Sequence, residues 1–441
     1  MPSNRLIVQP MHGALRATPR HGDATPWRPR ATRAAVALLV AVASGCAIPT
    51  SRRPVPEPLI DSVHVVDLPG DVRSWGDRQT ETFRQGLAAS VQQAELTYGV
   101  ETPVSVLAIS GGGSDGAFAA GLLCGWTEHG TRPVFRVVSG VSVGAIVAPF
   151  AFLGSGYDDR LREMATCATK EHVFRMKLPT EILTGDSVAD NAPLARFLSR
   201  YIDGDLLQAV AIEHAKGRRL YVATTNIDAG RPVIWDMGAI AASGSPRALR
   251  VFREVILASA AVPVFYPPSY IEVECDGQTY DEMHVDGGVT GQILLYGQAL
   301  STREVVPDGT RPHTTYYIIR NGRFASDYEP VKPSIEGVAS RSVTRAIQAH
   351  GVGDLWQAYA TCWRDAMDFR LAAIPDDMRL RTGDMFNAKT VAELFERGRS
   401  LAHDGYPWAT MPPGVRRFDP PPLAQPHDAD SEREPHAPDR Q

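Results

Sequence analysis

Apolar positions in the central part of the chain alternate between two patterns. Short apolar runs at 104–110 (VSVLAIS) and 135–139 (FRVVS) have the length of buried strands. Each is followed by a stretch of helical length that is rich in small apolar residues, at 117–129 and 143–153. A strand–helix–strand–helix order at this spacing favours parallel pairing, with helices covering the sheet. The pattern therefore predicts an α/β protein with a mainly parallel central sheet.

Downstream of this unit the sheet is predicted to continue, followed by a helical C-terminal part. A CDGQ turn at 275–278 separates two short strand-like runs, which predicts a β-hairpin. The Pro-rich, charged tail at 419–441 is typical of disorder. The further predicted strands are 220–228, 232–236, 270–273, 279–285 and 314–320, and the further predicted helices are 78–98, 247–260, 340–369 and 389–403.

The N-terminal region has the pattern of an export signal. An Arg-rich stretch at 27–33 precedes an apolar run at 34–43, and Ser-Gly-Cys46 follows. This order is typical of a secretory signal, and the run is too short to span a bilayer. The stretch before the arginines is long for a signal, so Met11 is a candidate alternative start.

Residues 43–46 (ASGC) resemble a bacterial lipoprotein signal, although Ala43 stands where Leu is usual. The resemblance implies lipidation of Cys46, which would become the mature N-terminus and anchor the chain to a membrane. Ala47 after the cysteine then suggests the outer membrane of a bacterial envelope, facing the periplasm or exported. An ordinary signal with an unrelated cysteine is the alternative.

Composition is that of a globular protein with a substantial core: 44% of the 441 residues are hydrophobic and 22% are charged. The net charge of −5 does not suggest a nucleic-acid partner. Four further cysteines, with no CxxC motif, allow three disulfide pairings in an oxidising compartment. Cys124 lies in an apolar run and is expected to be a buried free thiol. The other three are Cys167, Cys275 and Cys362.

A glycine-rich loop, GGGSDG at 111–116, links the first predicted strand to its helix. Its spacing fits G-x-G-x-x-G, so a dinucleotide-binding oxidoreductase is one alternative. That function requires an acidic residue at the end of the second strand, and FRVVS has none. The other alternative is an oxyanion hole, in which the backbone N–H groups of Gly111, Gly112 and Gly113 stabilise a tetrahedral intermediate.

A pentapeptide at 140–144, GVSVG, follows the second strand and opens the next helix. It fits G-x-S-x-G, in which a serine on a sharp strand–helix turn is strained and presents its hydroxyl. Gly140 and Gly144 relieve crowding on either side, and the helix directs its positive end at Ser142. This placement favours Ser142 as a nucleophile.

Asp286 stands at the end of the second hairpin strand, in the motif VDGG with Gly287 and Gly288. GGGSDG, GVSVG and DGG in this order resemble the patatin-like phospholipases, most closely their bacterial lipoprotein branch. The block LASAAVPVFYPP at 257–268 strengthens the resemblance.

The resemblance implies a three-layer α/β/α hydrolase fold and a serine lipid acyl hydrolase of phospholipase A or esterase type. It implies Ser142 as nucleophile, Asp286 as its only catalytic partner, and Gly111–Gly113 as the oxyanion loop, with Gly116 as a further motif glycine. Fatty-acyl esters, including phospholipids, are the expected substrates. This chemistry needs no cofactor, and no metal-ligand cluster is apparent in the sequence.

Three positions leave alternatives open. Asp115 stands where the family often has Arg or Lys, and it is also a candidate N-cap for the following helix. VTGQ at 289–292 replaces the family's Asn-Asn-Pro-like turn. His284 shares a strand face with Asp286, so a Ser-His-Asp triad is an alternative to the dyad. A catalytically silent envelope lipoprotein with this fold is the alternative function.

The chain is accordingly expected to divide into five parts. These are a signal with Cys46 (1–46), a tether with an N-terminal helix (47–100), a catalytic core (101–325), a helical C-terminal part of the same domain (326–418) and a disordered tail (419–441).

Overall fold

The computed structural model describes residues 52–414, apart from 69, 71, 295–311, 326–327, 329, 332 and 379–385. The predicted signal, its Cys46 and the predicted tail lie outside the described residues, so the expectations about them stay predictions.

Ten of the described strands form one mixed sheet, and two form a small separate ribbon. The sheet order is β1-β9-β10-β7-β4-β3-β11-β12, and β8 lies between β2 and β7. The run from β7 to β12 is parallel, whereas β1, β2, β8, β9 and β10 add antiparallel pairs. The strands are β1 His64–Val65, β2 Arg73–Trp75, β3 Val104–Ile109, β4 Val137–Val141, β5 Arg175–Met176, β6 Ala189–Asp190, β7 Arg219–Asn226, β8 Arg231–Asp236, β9 Ser269–Cys275, β10 Gln278–Asp286, β11 Thr314–Arg320 and β12 Asp368–Ala373.

Helices cover both faces of this sheet. The strand–helix alternation of the sequence holds for β3, α2, β4 and α3, and the larger share of the helices packs on one face. The helices are α1 Glu81–Tyr98, α2 Gly116–His129, α3 Val143–Leu153, α4 Asp158–Cys167, α5 Lys170–Val173, α6 Pro179–Thr184, α7 Ala192–Tyr201, α8 Gly204–Ala215, α9 Met237–Ala242, α10 Ala248–Ser259, α11 Ile335–Arg364 and α12 Ala388–His403.

Strand β3 shows why the sheet lies between two helical layers. Leu107 and Ile109 point into the larger core with α2 and α3, while Val106 and Ala108 point into a second core with α11. Because successive side chains of a strand alternate between faces, a strand buried on both sides must be apolar throughout. The predicted α/β class with a mainly parallel centre is confirmed as a three-layer α/β/α arrangement.

The strand and helix predictions of the central region hold to within a few residues, including the hairpin of β9 and β10. Five of the described strands, β1, β2, β5, β6 and β12, were missed, as were the helices from α4 to α9. Strands β1 and β2 are two and three residues long and lie within the predicted tether, yet they pair with β9 and β8. Such short segments carry no readable periodicity, and only their pairing with the sheet makes them strands.

Strand β12 was also missed, because its first residues fall in the predicted helix 340–369. Helix α11 ends instead at Arg364, and Ala366 takes a φ of 55°, which stops the helical path. The chain then pairs in parallel with β11 over six residues. Tertiary pairing overrides local helical preference here.

The described cysteines are all unpaired, and Cys124 is buried as expected. Burial raises the pKa of the Cys124 thiol to about 12, so this side chain is an inert packing group at neutral pH.

Helices α2 and α12 approach each other through glycines. A Cβ added to Gly121 would collide with the carbonyl of Phe395, and one added to Gly125 would collide with the carbonyl of Arg399. A Cβ added to Gly398 of α12 would likewise collide with the carbonyl of Phe118 in α2. The small residues of α2 therefore allow a backbone-to-backbone contact that holds the C-terminal helix on the central domain.

We expect Gly125→Ala to lower the free energy of unfolding by about 1–3 kcal/mol, because the new methyl group forces the two helices apart. Chemical denaturation measured by circular dichroism checks this. Gly86→Ala in α1 is the matched control, since its Cβ would meet no atom within 4 Å. That change should leave stability equal or raise it by about 0.5–1 kcal/mol. Equal effects of the two variants would contradict the close contact.

Candidate active site

Strand β7 brings the two predicted catalytic residues together. Strand β4 runs parallel to β7 and ends with Val141 opposite Ala223. Strand β10 runs antiparallel on the same edge of β7, and its last residue, Asp286, lies opposite Thr224. The two strand ends therefore meet head to head at neighbouring residues of one strand. Ser142, which follows Val141, lies next to Asp286.

Ser142 is held in a strained backbone conformation at the turn from β4 to α3. Its φ is 57° and its ψ is −126°, a region that non-glycine residues rarely adopt. A Cβ at Gly140 would collide with the carbonyl of Gly144, and a Cβ at Gly144 would collide with the carbonyl of Ile109. The turn is thus as tight as the G-x-S-x-G spacing predicts, and both glycines are sterically required.

Ser259, the last residue of α10, and Ala261 just after it hold both catalytic strands. The Ser142 N–H donates to Ser259 Oγ at 3.0 Å, and the Ser259 hydroxyl donates to the Ala223 carbonyl at 2.7 Å. The Asp286 N–H donates to the Ala261 carbonyl at 2.9 Å. Sequence reasoning missed these supporting roles. The signal available was the LASAAVP block itself, in which both residues lie.

Asp286 is a buried carboxylate with one free oxygen. Its side chain is shielded from solvent, and Oδ1 accepts the Gly288 N–H at 2.7 Å. Oδ2 is buried without a hydrogen-bond partner among the described residues, and Ser142 lies close enough to the carboxyl to lower its pKa. Burial raises the pKa of Asp286 to about 7, against the lowering effect of Ser142 and Gly288. Such catalytic hydrogen bonds commonly tighten only when substrate binds.

The glycine loop follows β3 at the same end of the sheet. Gly111 packs against the site, since a Cβ there would lie 3.0 Å from Ser142 Cβ. Gly112 and Gly113 take φ values of 156° and 59°, which favour glycine. The N–H groups of Gly111 and Gly112 donate no hydrogen bond to any described residue. They are available as donors to an anion beside Ser142.

Asn321, at the end of β11, holds this loop in place. Its N–H donates to Ser110 Oγ at 2.9 Å, and its side-chain amide donates to the Ser110 carbonyl at 2.8 Å. Its own carbonyl fills the space where a Cβ of Gly112 would stand. Nothing in the sequence marked Asn321, because its role arises only from the parallel pairing of β11 with β3.

His284 belongs to a buried network of Thr224 and Glu282. Its Nδ1 lies 2.9 Å from Thr224 Oγ1, and its Nε2 lies 3.1 Å from Glu282 Oε2. Glu282 is also paired with Arg73. Burial lowers the pKa of His284, so the imidazole is neutral near pH 7. Because both ring nitrogens of His284 are bound to Thr224 and Glu282, the structure favours a Ser142–Asp286 dyad over a Ser-His-Asp triad.

Asp115 is not the predicted helix cap. Its side chain makes no capping hydrogen bond, because its own backbone is already helical, with φ −69° and ψ −12°. It is half-buried beside the glycine loop. Burial raises the pKa of the Asp115 carboxyl to about 7, and the positive charge of Arg323 only partly opposes this rise.

Among the described residues, no group of three or more His, Cys, Asp or Glu side chains is arranged to hold a metal ion. Within the same part of the chain, no helix combines the length and apolarity needed to cross a bilayer.

The fold and the site together define an α/β/α protein with a strained serine at a strand–helix turn, a buried aspartate and an open glycine loop. Residues 107–295 match the family model Patatin, described as patatin-like phospholipase. This stretch begins in β3 and ends after β10, so it contains Ser142, Asp286 and the glycine loop. This stretch is similar to the patatin-like phospholipases, and the mostly parallel sheet with helices on both faces has the patatin fold.

Solved structures similar to this chain include three proteins. VipD from Legionella pneumophila is 12% identical, with a TM-score of 0.32 over 68% of this chain and 66% of that one. ExoU of Pseudomonas aeruginosa, solved with SpcU, is 14% identical, with a TM-score of 0.27 over 68% and 51%. Human GIVD cytosolic phospholipase A2 is 9% identical, with a TM-score of 0.30 over 70% and 56%. The chain thus spans between half and two thirds of these proteins' lengths. No curated protein sequence matches it.

We expect Asp286→Asn to become more stable relative to wild type as the pH rises from about 4 to about 7. The unfolded carboxyl ionises near pH ~3.9, whereas the folded one keeps its proton until about pH 7. Folding of the wild type therefore takes up a proton in this window, and its stability falls with rising pH. The full gain of the variant over wild type in free energy of unfolding is roughly 4 kcal/mol, and it stays constant above pH 7.

Thermal unfolding of both proteins across this pH range measures the difference. Asp276→Asn, in the exposed hairpin turn, is the matched control for the substitution itself. A melting-temperature difference between Asp286→Asn and wild type that does not change with pH would mean that Asp286 is not a buried carboxyl with a raised pKa.

Proposed function

We propose that this chain is a serine lipid acyl hydrolase of phospholipase A or esterase type, which uses a Ser142–Asp286 dyad and a Gly111–Gly113 oxyanion loop. The observation that carries the proposal is the buried, unpartnered Oδ2 of Asp286 beside the strained Ser142. The patatin-like phospholipase domain match supports a lipid ester as substrate. No cofactor enters this chemistry.

In the proposed acylation step, the Asp286 carboxylate takes the Ser142 proton through Oδ2 as the hydroxyl attacks the ester carbonyl. The free N–H groups of the glycine loop stabilise the negative oxygen that forms, as backbone donors do in acyl transfer. The leaving alcohol takes the proton from Asp286. An acyl group then remains on Ser142.

Desolvation makes an aspartate a competent base in this scheme. An exposed carboxylate with its ordinary pKa is a weak base at neutral pH, whereas a pKa near 7 matches the working pH. His284 is not needed for this proton transfer, because its neutral ring is bonded to Thr224 and Glu282.

Substitution of the dyad should separate catalysis from folding. Ser142→Ala should abolish both ester hydrolysis and labelling by a fluorophosphonate probe, because no nucleophile remains. Asp286→Asn keeps the shape but removes the base, so kcat/KM should fall by about 10²–10⁴. Hydrolysis of one soluble ester by the purified variants measures these effects, with circular dichroism as the check on folding.

His284→Gln is the matched control for the dyad. Glutamine keeps polar atoms within the buried network, and we expect a far smaller loss of kcat/KM than for Asp286→Asn. A loss as large as that of Asp286→Asn in a folded protein would require a triad. An unlabelled wild-type protein would instead support a catalytically silent lipoprotein with this fold.

We further propose that the chain is lipidated at Cys46 and held at the bacterial outer membrane, facing the periplasm or exported. The ASGC stretch after the apolar run supports this, together with Ala47. Several acyl chains on one terminus give stable anchoring, because each buried CH₂ adds ~0.8 kcal/mol.

Mass spectrometry of the mature N-terminus from a bacterial host tests the anchor. We expect a diacylglyceryl-modified Cys46 as the first residue, and Cys46→Ser should shift the protein from the membrane to the soluble fraction. Cys167→Ser is the control, because this exposed cysteine lies in the folded domain and should leave the fractionation unchanged. A mature terminus elsewhere, without lipid, would refute lipidation.

A further inference from the structure

Gln292 lies between the two loops of the proposed dyad. A Cβ placed on Gly111 would lie 3.0 Å from Gln292 Oε1 and 3.0 Å from Ser142 Cβ. A Cβ placed on Gly288 would lie 2.8 Å from Gln292 Nε2 and 3.0 Å from Asp286 Oδ1. The carboxamide therefore borders the nucleophile and the oxyanion loop on one side and the base on the other.

The carboxamide is buried and has unused hydrogen-bonding capacity. Gln292 is only 7% exposed, yet its side chain makes no hydrogen bond with any described residue. An amide that has no protein partner and lies beside a reacting serine is free to bind a further molecule. Its acceptor, Oε1, lies on the side of Ser142.

Helix α11 holds the backbone of Gln292 in place. The N–H of Gln292 donates to Asp354 Oδ2 at 2.6 Å, and the N–H of Ile293 donates to the same oxygen at 3.3 Å. Gly351, one turn earlier, makes room for the side chain, since a Cβ there would lie 3.1 Å from Gln292 Cβ. The side chain is thus supported from a rigid helix, as a positioning residue requires.

We propose that Gln292 is a positioning residue for the water that hydrolyses the acyl-enzyme, an inference that rests on the proposed function. An attacking water has two hydrogens to place while its lone pair points at the acyl carbon. Asp286 Oδ2 accepts one hydrogen, and Gln292 Oε1 accepts the other. Gln292 borders Gly111 beside Ser142 and also borders Gly288 beside Asp286, so the two acceptors together fix the direction of attack.

The step balances within the site. The water oxygen bonds to the acyl carbon, and its proton passes to Asp286 Oδ2. The tetrahedral intermediate then collapses as the bond from the acyl carbon to Ser142 Oγ breaks. Oγ takes the proton back from Asp286, and the fatty acid leaves. Gln292 gives and receives no proton in this sequence.

Methanol provides a test that a purely structural role would not affect. Its hydroxyl carries one hydrogen, which Asp286 accepts, so its attack on the acyl-enzyme does not need Gln292. With a short-chain p-nitrophenyl ester in buffer containing methanol, the products are free acid and methyl ester. In Gln292→Met, which keeps the length of the side chain, the ratio of acid to methyl ester should fall about 10-fold or more.

Controls separate this inference from the proposed function. Gln348→Ala removes an exposed amide from α11 and should keep the wild-type product ratio. Gln292→Ala should shift the ratio in the same direction as Gln292→Met. An unchanged ratio in folded Gln292→Met overturns the positioning role, even if the rate of p-nitrophenol release falls. A wild-type protein that no fluorophosphonate labels at Ser142 overturns the proposed function, and this inference with it.

Discussion

The site depends on the meeting of two strand ends at Ala223 and Thr224 of β7. One partner strand is parallel and the other antiparallel, so their carboxyl ends face each other instead of lying side by side. Neither strand can shift by one residue without turning its buried side chains to the wrong face. Register in the sheet therefore fixes the separation of Ser142 and Asp286, which are 144 positions apart in numbering.

Around that junction, side chains and glycines hold a backbone that is locally unfavourable. The strained φ of Ser142 persists because Ser259 binds its N–H and because Gly140 and Gly144 allow a turn in which any side chain would collide with the backbone. The buried charge of Asp286 is likewise unfavourable to folding, and the surrounding core must offset it. Strain and desolvation at the same place are characteristic of sites where function, not stability, determines the residue.

The C-terminal part of the chain belongs to the site as much as to the core. Asn321 shapes the glycine loop from β11, and Asp354 of α11 holds the segment that carries Gln292. On the opposite face, the glycine contact holds α12 against α2, the helix that follows the glycine loop. The family match ends at residue 295, so these supporting elements lie beyond it.

By itself, the sequence determined the α/β class, the central strands and helices, and the motifs that contain Ser142, Asp286 and the glycine loop. These features are local: a strand, a tight turn and a helix each leave a pattern within about fifteen residues. The two short strands in the tether and strand β12 were decided by tertiary contacts instead.

Only the tertiary structure decided that the ring nitrogens of His284 bind Thr224 and Glu282, and that Ser259, Asn321 and Gln292 surround the dyad. Each of these roles depends on which segments lie side by side in the sheet. That information resides in long-range packing, which no local pattern records.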